Sequence, residues 1–196
     1  MRARDIMSTP AVTVAPETPV KTAEAMLARE GFTALPVLDS DEQLVGIVTE
    51  SDFVADRFTG DSAIARLVGD VMTTSVQTAD VNTDVAALAR TMQDNGIRSV
   101  PVLDRGRVIG VVTRRDFLRV LARPDQLLAN DVRERLALFG GKDRWRVDVH
   151  DGEAMILDQF DSEADRQVAT VLAEGVPGII RARCHVGELE HQEDPA

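Results

Sequence analysis

The sequence has one cysteine, fewer bases than acids and no long apolar run, and each shortage excludes a class of protein. The single cysteine, Cys184, cannot form an intrachain disulfide, so the chain is not a disulfide scaffold. With 33 acids against 22 bases and a formal charge of -11, the surface as a whole does not suit nucleic acid or an anionic membrane. No stretch approaches the length of a membrane span, and no apolar signal segment follows Met1 to Arg4. We therefore expect a cytoplasmic protein with no nucleic-acid partner.

Signatures of catalysis are also missing. The 3 histidines, His150, His185 and His191, all lie in the last third of the chain. No metal-ligand spacing, phosphate-binding loop, dinucleotide fingerprint or nucleophile-base set is present. We therefore expect no enzymatic activity, no metal and no catalytic cofactor. A length of 196 residues, with 44% hydrophobic residues, suits a globular protein of one large or two small domains.

One stretch occurs twice and organises the chain. The segment from Gly46 to Phe53 reads GIVTESDF, and the segment from Gly110 to Phe117 reads GVVTRRDF. In each copy an apolar run of strand type leads into Thr-x-x-Asp and then into apolar residues at helical spacing. The unpaired amides of such a first helical turn can hold a phosphate or ribose oxygen. The alternative interpretation is a capping box, in which the Thr and the acid only close the end of the helix.

The repeat extends beyond this stretch. Asp5-Ile6-Met7 aligns with Asp70-Val71-Met72, and the segment from Pro36 aligns with the segment from Pro101, all at one offset. A turn one residue shorter in the second copy is a difference that a shared fold tolerates. Each copy reads strand, helix, strand, strand, helix.

These motifs in tandem resemble a pair of CBS domains, or Bateman module, over residues 1–124, with one copy in 1–60 and the other in 61–124. The resemblance implies an α+β fold in which two β-α-β-β-α units pack about a pseudo-twofold axis with two clefts between them. In many members the clefts bind AMP, ADP, ATP or S-adenosylmethionine, and pairs dimerise through their helices. We therefore expect a homodimer with an adenosyl compound as its regulatory ligand.

The resemblance also implies which residues contact the ligand. The motif Asp takes the ribose hydroxyls, since a carboxylate can accept from two vicinal hydroxyls at once, and the Thr lies near the ligand. Apolar residues near the first strand and beside the Pro-Val strand enclose adenine. Grouped by copy, the residues expected in the first cleft are Thr49, Asp52, Val12, Thr13, Leu35 and Pro36. Those expected in the second cleft are Thr113, Asp116, Val76, Thr78, Val100 and Pro101.

The two copies differ in charge between the Thr and the Asp. The first copy has Glu50-Ser51 there, whereas the second has Arg114-Arg115, and Arg98 of the second copy replaces Thr33 of the first. Because Arg favours a phosphate at a helix N-terminus and Glu opposes it, we expect the second cleft to be the better phosphate site. The alternative is that Arg114 and Arg115 are solvated surface residues.

The rest of the chain predicts a separate small domain. A helix with Val132, Leu136 and Phe139 on one face is followed by two alternating strands joined at Asp151-Gly152. A second helix, capped by Ser162, leads to a last strand. That helix is predicted to turn Ala164, Val168, Val171 and Leu172 inward. The order α-β-β-α-β resembles a BON domain over residues 129–187, and the acidic tail from 188 to 196, with His191, is expected to be disordered.

Two helices on one face of a three-stranded sheet would leave the other face open to solvent. Alternation places five basic or titratable residues on that face: Arg146, Arg181, Arg183, His150 and His185. Such a cluster could engage an anionic lipid, a polyphosphate or the acidic surface of a partner. An ordinary solvated face is the alternative.

The leading hypothesis is a regulatory protein whose CBS pair senses an adenosyl ligand and whose BON-like domain relays the bound state to a partner or surface. The alternative is a structural adaptor whose clefts are vestigial.

Overall fold

The computed structural model describes residues 1–59, 67–160 and 162–187, with the backbone alone given for 56–59. The predicted acidic tail, including His191, lies outside the described residues. The chain divides into two compact units, one from Arg2 to Phe117 and the other from Leu118 onward together with Met1.

The first unit contains both copies of the repeat, apart from the last turn of the helix that ends the second copy. The first copy forms α1 (Ala3–Ile6), α2 (Val20–Glu30), β1 (Ala34–Leu38), β2 (Leu44–Thr49) and α3 (Glu50–Thr59). The second copy forms α4 (Val68–Val71), β3 (Ala79–Asp80), α5 (Val85–Asp94), β4 (Ser99–Asp104), β5 (Arg107–Thr113) and α6 (Arg114–Leu121). β1 pairs antiparallel with β2, while β3, β4 and β5 form a second sheet in that order. The predicted α+β class is confirmed.

Each copy sends its opening segment across to the other copy. After α1, Ser8 pairs with Val111 in β5 of the second copy. After α4, Thr73 pairs in the same way with Ile47 in β2 of the first copy. Both contacts are reciprocal backbone hydrogen bonds of 2.9 to 3.0 Å. The two copies are therefore interlocked, and the start of each lies beside the Thr-x-x-Asp motif of the other.

Small and branched apolar residues fill the core of the first copy. Val20, Ala23 and Leu27 of α2 are buried because their helical spacing brings them to one face. They pack in one cluster with the β1 and β2 side chains Leu35, Val37 and Val48 and with Phe53 of α3. Phe53 thereby fixes the first turn of α3 against the sheet and holds the preceding motif in place.

The second unit forms α7 (Asp125–Gly140), β6 (Trp145–His150), β7 (Glu153–Asp158), α8 (Glu163–Glu174) and β8 (Arg181–Val186). Its sheet has the order β6-β7-β8, with β6 antiparallel and β8 parallel to β7. The alternating side chains of the strands and one side of each helix share a single apolar core. The predicted order of elements is confirmed, although α7 begins at Asp125, ahead of residue 129, where the BON resemblance begins.

The inward face predicted for α8 is wrong. Val168 and Val171 are 41% and 69% exposed, while Ala169 and Ala173 are fully buried. Small side chains on that face let α8 lie close to the sheet. Of the predicted inward residues, Leu172 does pack against the core.

Candidate functional site

A cleft of about 380 Å³ opens in the first unit, and both copies of the repeat line it. Its volume falls in the range of small-molecule sites, roughly 300–1,000 Å³. The first copy contributes Thr33, Ile47, Thr49, Glu50, Ser51 and Asp52. The second contributes two short segments, Thr73 with Ser75 to Gln77 and Gly96 to Ser99.

The Thr49 and Asp52 side chains are fixed by the turn from β2 into α3. One carboxylate oxygen of Asp52, Oδ2, accepts from the Thr49 amide at 2.7 Å and from the Thr49 hydroxyl at 2.8 Å. The acid therefore closes the helix end, as the capping interpretation predicts. Among the residues that the structure describes, none donates to the other oxygen, Oδ1, and the Asp52 side chain is half-buried. Capping thus leaves half of the carboxylate available on the wall of the cleft.

The second motif has the same local geometry in a more closed setting. Asp116 Oδ2 accepts from the Thr113 amide at 2.7 Å and from the Thr113 hydroxyl at 2.8 Å. The Ser8 hydroxyl, from the first copy, also donates to Asp116 Oδ1 at 3.3 Å. Asp116 is only 3% exposed.

The grouping of cleft residues by copy is wrong for Val76. The resemblance groups Val76 with Thr113 and Asp116, but Val76 lines the cleft that holds Thr49 and Asp52. The cause is the crossing of the 73–77 segment onto β2, where Thr73 bonds to Ile47. Each motif therefore shares its surroundings with the start of the opposite copy.

The other residues predicted to line the clefts lie partly in buried strands and partly at the surface, and their role in ligand binding stays a prediction. Leu35 and Pro36 in β1, and Val100 and Pro101 in β4, are buried strand residues. Val12 and Thr78 are exposed, and Thr13 is half-buried. None of these seven residues is among those that line the 380 Å³ cleft.

Arg98 lies in the first cleft. Of the three arginines that led us to expect the second cleft to be the better phosphate site, Arg114 and Arg115 remain beside the second motif. Glu50 and Asp52 line the same cleft. Arg114 and Arg115 are exposed in the first turn of α6. The first cleft therefore combines one guanidinium with two carboxylates, whereas the second motif has two guanidinium groups and one carboxylate.

Sequence reasoning missed the polar residues that the second copy brings to the first cleft: Thr73, Ser75, Gln77 and Ser99. The hydroxyls of Thr33 and Ser99 lie 2.9 Å apart and join the two copies at the base of β1 and β4. Apolar contacts come from Ile47, Val76 and Ile97. The aligned motifs could have pointed to these residues only if the crossing of the two copies had been known in advance.

In the second unit, the residues predicted on the open sheet face are all exposed: Arg146, Arg181, Arg183, His150 and His185. Strand register places them on the side away from the helices. Asp148 and Glu153 lie on the same side, and Glu153 approaches Arg181 at 3.9 Å. The face is therefore a mixed pattern of charges and not a purely basic cluster.

A buried ion pair lies near one end of the same sheet. Arg144 donates to Asp158 through two hydrogen bonds, 2.8 Å to Oδ1 and 3.0 Å to Oδ2, and it also contacts Asp165 at 2.8 Å. Burial of Asp158 favours its neutral form, but the Arg144 hydrogen bonds, the Phe160 amide and the positive charges of Arg144 and Arg166 together outweigh burial and lower the pKa of the carboxyl below its ordinary 3.8. The same contact raises the pKa of Arg144.

Burial raises the pKa of the Cys184 thiol to about 11, with a smaller effect of Asp158 in the same direction.

The sequence model of the CBS domain matches residues 3–56 and 68–123. The chain belongs to the CBS domain family. The two matched ranges coincide with the interlocked copies of the first unit, so this unit is a CBS pair. The second unit lies almost entirely outside the matched ranges.

Characterised relatives share the CBS pair. Hypoxic response protein 1 of Mycobacterium tuberculosis is 32% identical over 121 residues, covering 61% of this chain and 84% of that protein. An inosine-5'-monophosphate dehydrogenase of Thermoplasma acidophilum is 35% identical over 116 residues, covering 58% of this chain but 22% of the enzyme. For the dehydrogenase of Mycobacterium bovis the share is 26%. The chain thus spans about a quarter of the length of the dehydrogenases it matches.

Two similar solved structures contain adenosyl compounds. The CBS domain pair of protein MJ0100, in complex with 5'-methylthioadenosine and S-adenosyl-L-methionine, has a TM-score of 0.56 and 30% identity, covering 61% of this chain and 94% of that one. CBSX2 in complex with AMP has a TM-score of 0.55 and 31% identity, covering 60% of this chain and 93% of that one. CBS pairs similar to this one therefore bind adenosyl compounds.

Within residues 1–59, 67–160 and 162–187, no helix has both the length and the apolar character needed to cross a membrane. The same described residues contain no group of three or more His, Cys, Asp or Glu side chains placed to hold a metal ion.

Proposed function

We propose that this chain is a regulatory protein whose CBS pair binds an adenosyl compound, either an adenine nucleotide or S-adenosylmethionine. The observation that carries the proposal is Asp52, whose Oδ1 has no donor among the described residues and whose side chain lines a cleft of about 380 Å³. A ribose offers two vicinal hydroxyls, and a carboxylate that accepts from them forms charge-assisted hydrogen bonds.

The rest of the cleft suits the other parts of an adenosyl compound. Ile47, Val76 and Ile97 provide apolar surface for a flat base, and ligand sites commonly pair such surface with a few polar groups. Arg98 can pair with a carboxylate or phosphate, while Glu50 opposes a phosphate at the N-terminus of α3. This balance favours a ligand with few negative charges over a polyphosphate. The adenosyl compounds bound by the MJ0100 pair and by CBSX2 support the same class.

Titration calorimetry with AMP, ATP and S-adenosylmethionine tests the proposal. Asp52→Asn keeps a hydrogen-bond acceptor for the Thr49 amide but removes the charge, so we expect binding to weaken at least tenfold. Asp84→Asn is the matched control, since Asp84 caps α5 by accepting from Ala86 and Ala87 and does not line the cleft. Absence of binding by the unmodified chain to every one of these compounds would contradict the proposal.

We further propose that the second unit is a BON-like domain over residues 129–187 that relays the bound state to a protein partner or an anionic lipid surface. The exposed arginines Arg146, Arg181 and Arg183 support a contact of this kind, although Asp148 and Glu153 on the same face reduce its charge. Flotation with vesicles containing anionic lipid tests the lipid surface. If the double variant Arg181→Glu with Arg183→Glu still binds these vesicles, this face is excluded as the lipid-binding surface.

The proposal includes a homodimer formed through the CBS helices, a cytoplasmic location and no catalytic activity. Sedimentation velocity of the purified chain tests the dimer.

The second candidate function is a structural adaptor whose clefts do not bind ligand. The burial of Asp116 and its bond with Ser8 favour that candidate for the second motif. Ligand-free and ligand-treated protein would then bind the same partner equally.

A further inference from the structure

The two Thr-x-x-Asp motifs are not equivalent, and the difference lies outside the motifs themselves. Within each motif the Asp Oδ2 makes the same two hydrogen bonds, at 2.7 and 2.8 Å. The difference comes from the crossing segments that place Ser8 beside the second motif and Thr73 beside the first. These two residues occupy the same position after the helical turns α1 and α4.

Only Ser8 bonds to the carboxylate that it faces. Its hydroxyl donates to Asp116 Oδ1 at 3.3 Å, so both oxygens of Asp116 have donors from the protein. Thr73 makes no side-chain bond to Asp52, whose Oδ1 has no donor in the described parts of the chain. Exposure follows the same division, since Asp52 is half-buried and Asp116 is 3% exposed.

We propose that Ser8 acts as an internal competitor for the ribose-binding oxygen of the second motif, so that an adenosyl ligand fills the Thr49 and Asp52 cleft first. The inference rests on the proposed function. At Asp52, which lines the cleft, a ribose diol would displace no described donor from Oδ1. At Asp116 it must first displace the Ser8 hydroxyl from Oδ1 and expose a buried carboxylate, so part of the hydrogen bonding that the diol gains only replaces a bond that the protein already makes.

The strength of the hydrogen bond between Ser8 and Asp116 sets the expected change in ligand affinity at the second site. A hydrogen bond of ordinary net strength corresponds to about a fivefold change in affinity, so removing the Ser8 hydroxyl should tighten the second site by about fivefold. The first site should not change. Without such a competitor, the more positive second motif, with Arg114 and Arg115, would be the better site for a phosphate-bearing ligand.

Titration calorimetry with AMP and with S-adenosylmethionine on the full chain tests the inference through three variants. Asp52→Asn should remove the tighter binding phase, and Asp116→Asn should leave it within about twofold. Ser8→Ala should leave the tighter phase unchanged and strengthen or reveal a second equivalent of ligand per chain. Thr9→Ala is the control, because the Thr9 hydroxyl in the same segment donates to the Ile109 carbonyl and not to Asp116.

The outcomes separate this inference from the proposed function. Loss of the tighter phase in Asp116→Asn, or a weaker second site in Ser8→Ala, would overturn the role of Ser8 while leaving adenosyl binding established. Failure of the unmodified chain and of Ser8→Ala to bind either compound would overturn the proposed function, and the inference with it.

Discussion

The carbonyl oxygen of Ser8 lies so close to Gly110 that a Cβ added to Gly110 would stand 2.8 Å from it. That carbonyl accepts from the Val111 amide at 3.0 Å and so anchors the crossing segment on β5. Glycine is therefore required at this position by the close approach of two backbones, and the contact positions the Ser8 hydroxyl at Asp116.

Replacing Gly110 with alanine should destabilise the first unit by about 1–3 kcal/mol, because backbone atoms must move to admit the new methyl group. Gly46→Ala is the matched comparison in the first copy. There the nearest atoms belong to the flexible side chain of Met72, with the Thr73 carbonyl at 3.2 Å from the added Cβ. We expect a smaller loss for Gly46→Ala in urea unfolding. Equal stability of Gly110→Ala and the unmodified chain would show that the crossing segment is loosely held.

The buried pair of Arg144 and Asp158 should contribute strongly to the stability of the second unit. Asp158→Asn leaves a largely buried guanidinium without its main partner, for which we expect a loss of about 3 kcal/mol. Arg144 keeps its contact with Asp165, so the loss should lie at the lower end for buried pairs. Glu153→Gln is the control, because it breaks an exposed contact with Arg181 and should cost under about 1 kcal/mol. Similar unfolding midpoints for the two variants would contradict this ranking.

The same pair predicts an acid dependence of stability. The pKa of Asp158 is lower in the folded state than its ordinary 3.8, so the folded chain holds this proton less tightly than the unfolded chain. Its stabilising effect is therefore complete above about pH 5 and is lost as the pH falls below 3.8 through the folded value. The difference in urea midpoint between the unmodified chain and Asp158→Asn should narrow from pH 6 to pH 3. A difference that stays constant over this range would exclude Asp158 as its source.

The Cys184 thiol should be unreactive in the folded protein. With a pKa of about 11, its thiolate fraction at pH 8 is about one part in a thousand, and the thiolate is the reactive form. Because Cys184 is the single cysteine of the sequence, labelling with a chromogenic disulfide reports on it alone. We expect labelling at pH 8 to accelerate by more than tenfold in denaturing urea. Equal rates in folded and unfolded protein would show that the side chain is accessible and not stabilised as the thiol.

The local features of the first unit could be predicted from the sequence because they repeat. The strand, turn and helix start around Thr49 and Asp52 are encoded within eight residues that occur twice, and a repeat of that kind fixes the element types. The helix face of Val20, Ala23 and Leu27 also follows from spacing alone.

Residues brought together by long-range pairing could not be predicted in this way. The position of Val76 beside the motif of the other copy depends on the pairing of Thr73 with Ile47, which its neighbours in the sequence do not indicate. Likewise, nothing near Ser8 in the sequence indicates that its hydroxyl bonds to Asp116, 108 positions away. In α8 the valines gave a plausible apolar stripe, but close packing on the sheet selected the side with Ala169 and Ala173.

A crystal structure of the chain with AMP or S-adenosylmethionine would show directly which of the two motifs binds the ribose. We expect the ribose in the first cleft, with its hydroxyl oxygens about 2.5–3.0 Å from the carboxylate of Asp52 and the base against Val76 and Ile97. With ligand bound in the first cleft, Asp116 should keep its hydrogen bond with the Ser8 hydroxyl. Ligand bound elsewhere, with Asp52 making no contact to it, would contradict the proposed role of Asp52.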